Sequence, residues 1–209
     1  HWREEGPAQR AREAVCRRAR LELEEFLARG ETLDLGPEGP PEVTVIVVLH
    51  NRAELTLSTL CALRDSRGVA LAVVIVDNGS DDWTAKLLDR VRGATVLRNA
   101  SNEGFIRAAN RAAGRAAGSA LLFLNNDATF RPDAIRAAFD RLRGDPAIGA
   151  VGGRVLRPDG LLQEAGCTVS EDGRSAFWGG GACPDLGAFL YPRPVDYCTG
   201  ASASDSTSI

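Results

Sequence analysis

Two acidic residues that close apolar runs carry most of the chemistry this sequence offers. In residues 119–127, five apolar positions (120–124) end in Asn125, Asn126 and Asp127. In residues 71–80, a second apolar run ends in Asp77, Asn78, Gly79 and Ser80. A short continuous apolar run reads as a strand buried on both faces. In open α/β sheets, ligands sit just past the carboxyl ends of such strands. A carboxylate there can hold Mg²⁺ or Mn²⁺, hard cations that take oxygen ligands and bridge diphosphate oxygens. Asp77 can accept hydrogen bonds from a base edge or from ribose hydroxyls, and Arg98 or Arg107 can neutralise phosphate charge. Each feature also has a plainer reading. Residues 125–127 can cap a helix entered at Arg131, Pro132 and Asp133. Asn78 and Gly79 form an ordinary turn pair, and Arg98 suits a solvated strand end.

The elements that must position these residues alternate regularly. Strands are expected at 43–49, 69–76, 94–98, 120–124 and 148–151. Helices are expected at 54–67, 82–91, from about 105 through 117, and at 132–143. Ser80 or Asp81 is expected to cap the helix at 82 by accepting first-turn amides. This alternation predicts an α/β fold, a mostly parallel sheet with helices on both faces and right-handed crossovers. The strands end in His50, Asn51 and Arg52, in Asp77 and Asn78, in Arg98 and Asn99, and in Asn125, Asn126 and Asp127. A parallel sheet puts all four sets on one edge, which favours a ligand crevice over four separate turns.

The flanks differ. Residues 1–36 form an N-terminal helical extension, and residues 37–42 a Gly- and Pro-rich linker. Within the extension, Glu13 and Arg17, Arg18 and Glu22, and Arg20 and Glu24 are acid–base pairs four apart, which support a helix over 7–29. Its apolar positions, Val15, Leu21, Leu23, Phe26 and Leu27, make a modest face, which allows an outlying helix docked on or linking to another element but favours a solvated connector. After Gly152 glycines and prolines multiply. Short antiparallel strands are expected at 155–162, 163–169 and 195–198, and 201–209 reads as a structureless tail.

Composition excludes several classes. The 209 residues carry a formal net charge of -3 and are 44% hydrophobic, enough for a core but not a surface for nucleic acid. The longest apolar runs, 45–49 and 71–76, are far short of a membrane span. Five cysteines without metal-ligand spacing read as reduced thiols of a cytosolic protein. Neither a GxGxxG nor a P-loop follows the first strand, so hydride transfer and ATP hydrolysis lose support. A receiver-like signalling domain phosphorylated at Asp77 would need acidic residues where His50 and Asn51 stand. Nucleotidyl transfer would need a Gly-rich, Arg- or Lys-bearing loop after Leu49.

From about Val43 to Gly200 the chain resembles the family 2 glycosyltransferases of GT-A fold. The resemblance rests on VTVIVVLHNR, VVIVDNGSDD, LRNASNEGFIRAANRAAGRAAGSALLFLNND, GGRVLRPDGLLQEAG and VDYCTGA, in family order. It implies a domain over 43–200 whose part 43–151 binds the nucleotide sugar. It further implies a UDP-, dTDP- or GDP-sugar donor, Mg²⁺ or Mn²⁺, and inverting transfer to a glycan or lipid-linked acceptor in surface polysaccharide synthesis. The expected location is cytoplasmic, peripheral at the inner face of the membrane. By this resemblance the loop His50, Asn51 and Arg52, with Asp77, Asn78 and Asn99, holds the nucleoside. Asn102, Gly104, Phe105 and Asn110 line the donor side. Asn125, Asn126 and Asp127 stand for the metal-binding DxD motif. Its first position is Asn125 rather than Asp, which leaves Asp127 as the acidic ligand. In the family the general base lies beyond the piece matched by VDYCTGA. Residues 202–209 do not match that region, so a truncated acceptor side without its base is expected. The alternative is a donor-binding fragment without transferase activity. Of the acids present in family-like pieces, Glu164 and Asp196, spacing singles out neither.

Overall fold

The computed structural model describes residues 6–198 and 207–208. Its centre is a four-stranded parallel sheet, and the sequence accounts for why. In β2 (Val43–Leu49) all seven residues are buried, and six of them are β-branched. It lies between β3 (Leu71–Asp77) and β6 (Ala120–Asn125), and β5 (Thr95–Arg98) pairs with β3, giving the order β5-β3-β2-β6. The two edges outside this sheet, β1 (Leu33–Asp34) and β4 (Val91–Arg92), pair with each other in parallel.

Alternation along β2 and β3 divides the core in two. Val45, Val47, Leu49, Val73 and Ile75 face a cluster built with α1 (Pro7–Arg29), α2 (Ala53–Arg64), α3 (Thr84–Leu88) and α5 (Ala134–Gly144). Ile46, Val48, Val74 and Val76 face Ala108, Ala109 and Ala112 of α4 (Phe105–Ala113). Small alanines let this helix lie close to the strands. Helices on both faces of a parallel sheet are thus observed as expected.

Several expectations are corrected. The helix over 7–29 is no solvated connector: Ala19, Leu23 and Phe26 are buried against α2 and the sheet. Leu21, expected on its apolar face, is 66% exposed, while its predicted acid–base pairs form. The strand at 120–124 is not buried on both faces. Among the described residues it pairs with β2 alone, and Leu121 and Phe123 are 41% and 43% exposed. The helix expected at 82–91 shrinks to Thr84–Leu88, because the chain turns out of it to pair Val91 with Leu33. Gly93 lets the chain leave β4 close against the end of β1: it adopts φ +70, and a Cβ there would meet the backbone of Gly36 at 2.2 Å. No strand forms at 148–151.

Beyond α5 the elements are short. After β7 (Ala128–Thr129) come β8 (Val155–Leu156), β9 (Leu162–Glu164), β10 (Cys167–Val169) and β11 (Ser175–Phe177), the last four in antiparallel pairs. Residues 201–206 and 209 of the expected tail lie outside the described residues, whereas Thr207–Ser208 forms β12 between β7 and β8. No described helix is long and apolar enough to cross a membrane.

Candidate functional site

Register brings the polar strand ends together. Leu49 pairs with Asp77, Asp77 with Arg98, and Val48 with Asn125, so all four strands finish on one level. Beyond this edge the chain tightens. Asn51 and Arg52 adopt φ +60 and +63, a left-handed turn that Asn tolerates and Arg adopts only at a cost.

Hydrogen bonds between the first two strand ends hold that turn. The Asn51 N–H donates to Ser80 Oγ at 2.8 Å, and the Asp81 N–H donates to Asn51 Oδ1 at 2.9 Å. Asp82 accepts from the N–H groups of Ala53 (3.0 Å) and Thr84 (2.9 Å), tying the starts of α2 and α3 to one carboxylate. Burial pushes the Asp82 carboxyl up, but these hydrogen bonds outweigh it and hold it below its ordinary range. Asp82 therefore takes the capping part expected of Ser80 or Asp81. The Asp–Asp pair was visible in the sequence, but which of the two reaches both helices depends on how β2 sits beside β3.

A second network organises the far side. Asn78, 2% exposed, donates to Asn102 Oδ1 (2.8 Å) and accepts from Asn99 Nδ2 (2.9 Å) and the Glu103 N–H (3.0 Å). Asn102 Oδ1 also accepts the Gly104 N–H at 2.9 Å. Gly79, at φ +80, lets the turn after β3 press onto this loop, since a Cβ there would lie 2.7 Å from Ser101 backbone atoms. Asp77, 6% exposed, accepts the Ser80 N–H at 3.0 Å.

At the third end, Asn126 is buried and donates to Asn51 O (3.0 Å) and Thr56 Oγ1 (2.9 Å), locking β6 to the loop after β2. Asp127 beside it is 5% exposed, and among the described residues its Oδ1 has no hydrogen-bond partner. Burial pushes the Asp127 carboxyl up to about 6, against the opposing pull of the Arg52 charge. A buried carboxylate oxygen without a partner is costly unless something completes it. Among the described residues no three His, Cys, Asp or Glu side chains gather as a metal site. Mg²⁺ shared between one or two carboxylates and substrate phosphates needs no such cluster, so the single carboxylate of Asp127 fits that use.

Not all candidates converge. His50, Asn102, Gly104, Phe105 and Asn110 are exposed, Asn51, Asn99 and Asn125 half-buried. Arg98 pairs at the surface with Asp89 at 2.8 Å, an engagement that argues against its expected use on phosphate. Arg111, which sequence reasoning passed over, donates to Asn99 from α4. Arg52 reaches Glu54 (3.4 Å) and Cys16 Sγ of α1 (3.7 Å), so the N-terminal helix touches the site. Glu164 is buried and accepts from Cys167 Sγ, and Asp196 accepts the Val169 N–H at 2.7 Å.

Comparison with known proteins adds relatives. The chain is 33% identical over 147 residues to the O-antigen biosynthesis protein RfbC of Myxococcus xanthus, covering 67% of this chain and 12% of that protein. It is 33% identical over 106 residues to the succinoglycan biosynthesis protein ExoO of Rhizobium meliloti (strain 1021), covering 48% and 30% respectively. An uncharacterized protein of Sinorhizobium fredii, y4gI, is 27% identical over 206 residues, 88% of this chain and 22% of that one. The chain thus spans less than a third of the length of each. Among solved structures, the mannosyltransferase PcManGT of Pyrobaculum calidifontis, in complex with GDP-Man and Mn²⁺, superposes with a TM-score of 0.51 at 26% identity. The likeness covers 72% of this chain and 48% of that one. The family model described as glycosyl transferase family 2 matches residues 44–184, a stretch that holds all of the parallel sheet but Val43 and every polar strand end, and the chain belongs to that family.

Proposed function

We propose that this chain binds a nucleoside diphosphate sugar across the polar edge of its sheet and serves transfer of the sugar to a glycan or lipid-linked acceptor in surface polysaccharide synthesis. The observation that carries the reading is the buried Oδ1 of Asp127, without a partner among the described residues and level with three other polar strand ends. The names of the two relatives concerned with succinoglycan and O-antigen biosynthesis support the acceptor class. In this reading Asp77, Asn78, Asn99 and the loop of His50, Asn51 and Arg52 hold the nucleoside. Asn102, Gly104, Phe105 and Asn110 border the donor, and Asn125, Asn126 and Asp127 form the end where Mg²⁺ or Mn²⁺ belongs.

The bound cation would stabilise the negative charge that develops on the departing nucleoside diphosphate. The protein's own residues would do the positioning. Asn126, tied to Asn51 and Thr56, fixes the height of the metal end relative to the nucleoside loop. The Asn78 network fixes the opposite wall, and Arg52 adds a cation beside Asp127. Transfer with inversion would form one bond from the acceptor oxygen to the anomeric carbon as the bond to phosphate breaks. The hydroxyl proton would pass to a base. Glu164 is engaged by Cys167 Sγ and Asp196 by the Val169 N–H, and we assign the base to neither. That engagement also favours a second reading, a donor-binding unit in which residues 6–198 do not themselves complete the reaction.

The test is titration with UDP, GDP and dTDP, with and without Mn²⁺. Asp127→Ala is expected to lose Mn²⁺-dependent affinity while keeping the parent's circular dichroism spectrum. Equal affinity of variant and parent with Mn²⁺ present would remove the metal assignment.

A further inference from the structure

Asp127 also lines a cavity of about 340 Å³ that the nucleotide reading leaves unused. Its walls come from four places. Leu55 and Ser58 belong to α2, Thr129 and Leu156 to the short strands beyond β6, Arg157 and Pro158 to the turn after β8, and Val15 to α1. Val15 lies outside the stretch that the family model matches, which begins at residue 44. Among the described residues, none proposed to surround the nucleoside (His50, Asn51, Asp77, Asn78) lines this cavity. A ligand here therefore reaches Asp127 from outside the nucleotide crevice.

The lining suits one kind of ligand. Ligand pockets run roughly 300–1,000 Å³, so this cavity is at the small end and suits a single ring rather than a chain of them. Its aliphatic side chains match the C–H face of a pyranose. Ser58, Thr129 and Arg157 bring hydroxyl and guanidinium groups to its wall at separate points. A flat aromatic base meets no aromatic face among these side chains, and the guanidinium of Arg157 is already paired with Asp159 at 3.0 Å, which leaves a multiply charged phosphate less well matched than a sugar ring.

α1 is held firmly enough to act as a wall. Its Ala19, Leu23 and Phe26 are buried in the main core, and Cys16 receives Arg52 Nη2 at 3.7 Å. Its position is fixed by packing rather than by the ligand.

We propose that this cavity receives one sugar ring of the acceptor, with Val15 of α1 setting how bulky a ring enters. The proposal rests on the glycosyl-transfer reading above and adds a part for a helix outside the matched family region. The pocket contributes orientation: it holds an acceptor hydroxyl near the donor so that the encounter becomes effectively unimolecular.

Val15→Trp narrows the cavity from the α1 side, and Ser58→Leu narrows it from α2, so one variant covers a folding failure of the other. Each is compared with the parent by saturation-transfer NMR against a panel of methyl glycosides, with and without UDP, GDP or dTDP plus Mn²⁺. Binding of the nucleoside diphosphates and of nucleoside diphosphate sugars is measured in parallel by calorimetry. The expected result is that glycoside binding weakens about tenfold or more in both variants while nucleotide affinity stays at the parent's value. Unchanged glycoside binding in a folded variant, or no glycoside binding by the parent, overturns the pocket. Loss confined to the sugar-dependent part of donor affinity overturns the acceptor assignment, because the ring held here is then the donor's. A parent that binds glycoside but no nucleoside diphosphate overturns the glycosyl-transfer reading and leaves the sugar pocket standing.

Discussion

At Asp127 burial and function pull in opposite directions. Its carboxyl is pushed up to about 6 by burial, from an ordinary value of 3.8. A group whose folded value is raised favours the folded state at low pH, and that contribution is lost as pH rises through about 6. A rise of this size corresponds to roughly 3 kcal/mol. Asp127→Asn, which mimics the protonated acid, should therefore melt above the parent near pH 8 and together with it below about pH 4. A parent that melts higher at both ends would show that the carboxylate is compensated by the protein itself. The same group predicts that Mn²⁺-dependent affinity for UDP, GDP or dTDP falls as pH drops below about 6, approaching tenfold per unit, because the cation must displace the proton. A flat profile from pH 5 to 8 would exclude Asp127 as ligand. Asp77 is a different case: it accepts the Ser80 N–H and is proposed to hold base or ribose. A hydrogen bond to a charged group is worth roughly 1.5–3 kcal/mol, so Asp77→Ala should weaken nucleoside and nucleotide alike by about tenfold or more. Asp77→Asn, which keeps an acceptor for Ser80, should lose less. Loss of phosphate-dependent affinity alone would show Asp77 to be misplaced.

Among the elements, α1 changes most between sequence and structure. Its exposed Arg–Glu pairs were plain at four-residue spacing, and they form. Surface pairs of this kind contribute little, roughly 0.3–0.5 kcal/mol each. The energy lies in Leu23, 2% exposed between α2 and the sheet. Removing a fully buried leucine side chain typically costs about 2–5 kcal/mol. Leu23→Ala should thus lower the melting temperature by roughly 5 °C or more, read by circular dichroism. A melting temperature equal to the parent's would make α1 the solvated connector that its composition suggested. α3 teaches the reverse lesson. The helical pattern over 82–91 was real, but Val91–Arg92 gains a strand partner in Leu33–Asp34, and pairing outweighs one more helical turn.

For the whole molecule, the uneven feature is the β6 edge. On the α4 side of the sheet Ile46, Val48, Val74 and Val76 are covered, while Leu121 and Phe123 of β6 stand 41% and 43% exposed. Within the parallel sheet β6 pairs with β2 alone, and an apolar edge strand invites pairing between molecules. Phe123→Thr should change stability by less than about 1 kcal/mol. It should also raise the concentration at which light scattering reports a single species. A loss of several kcal/mol would mean that Phe123 belongs to the core after all.

The sequence by itself determined the parallel sheet and the site's address. β-branched runs with no polar interruption can only be buried strands, and polar residues closing each run had to share one edge once the strands ran parallel. Asp77, Asn78, Asn126 and Asp127 were legible for that reason. What only the tertiary structure decided were matters of contact between distant segments. It made Asp82 the carboxylate that joins two helix starts, because β2 and β3 lie in register. It occupied Arg98 with Asp89, and it brought Val15 and Cys16 of α1 to the site. The apolar run at 120–124 shows the limit most clearly. Hydrophobicity says that a strand will be buried, but whether both faces find cover depends on what packs beside it, and here one face of β6 stays half open.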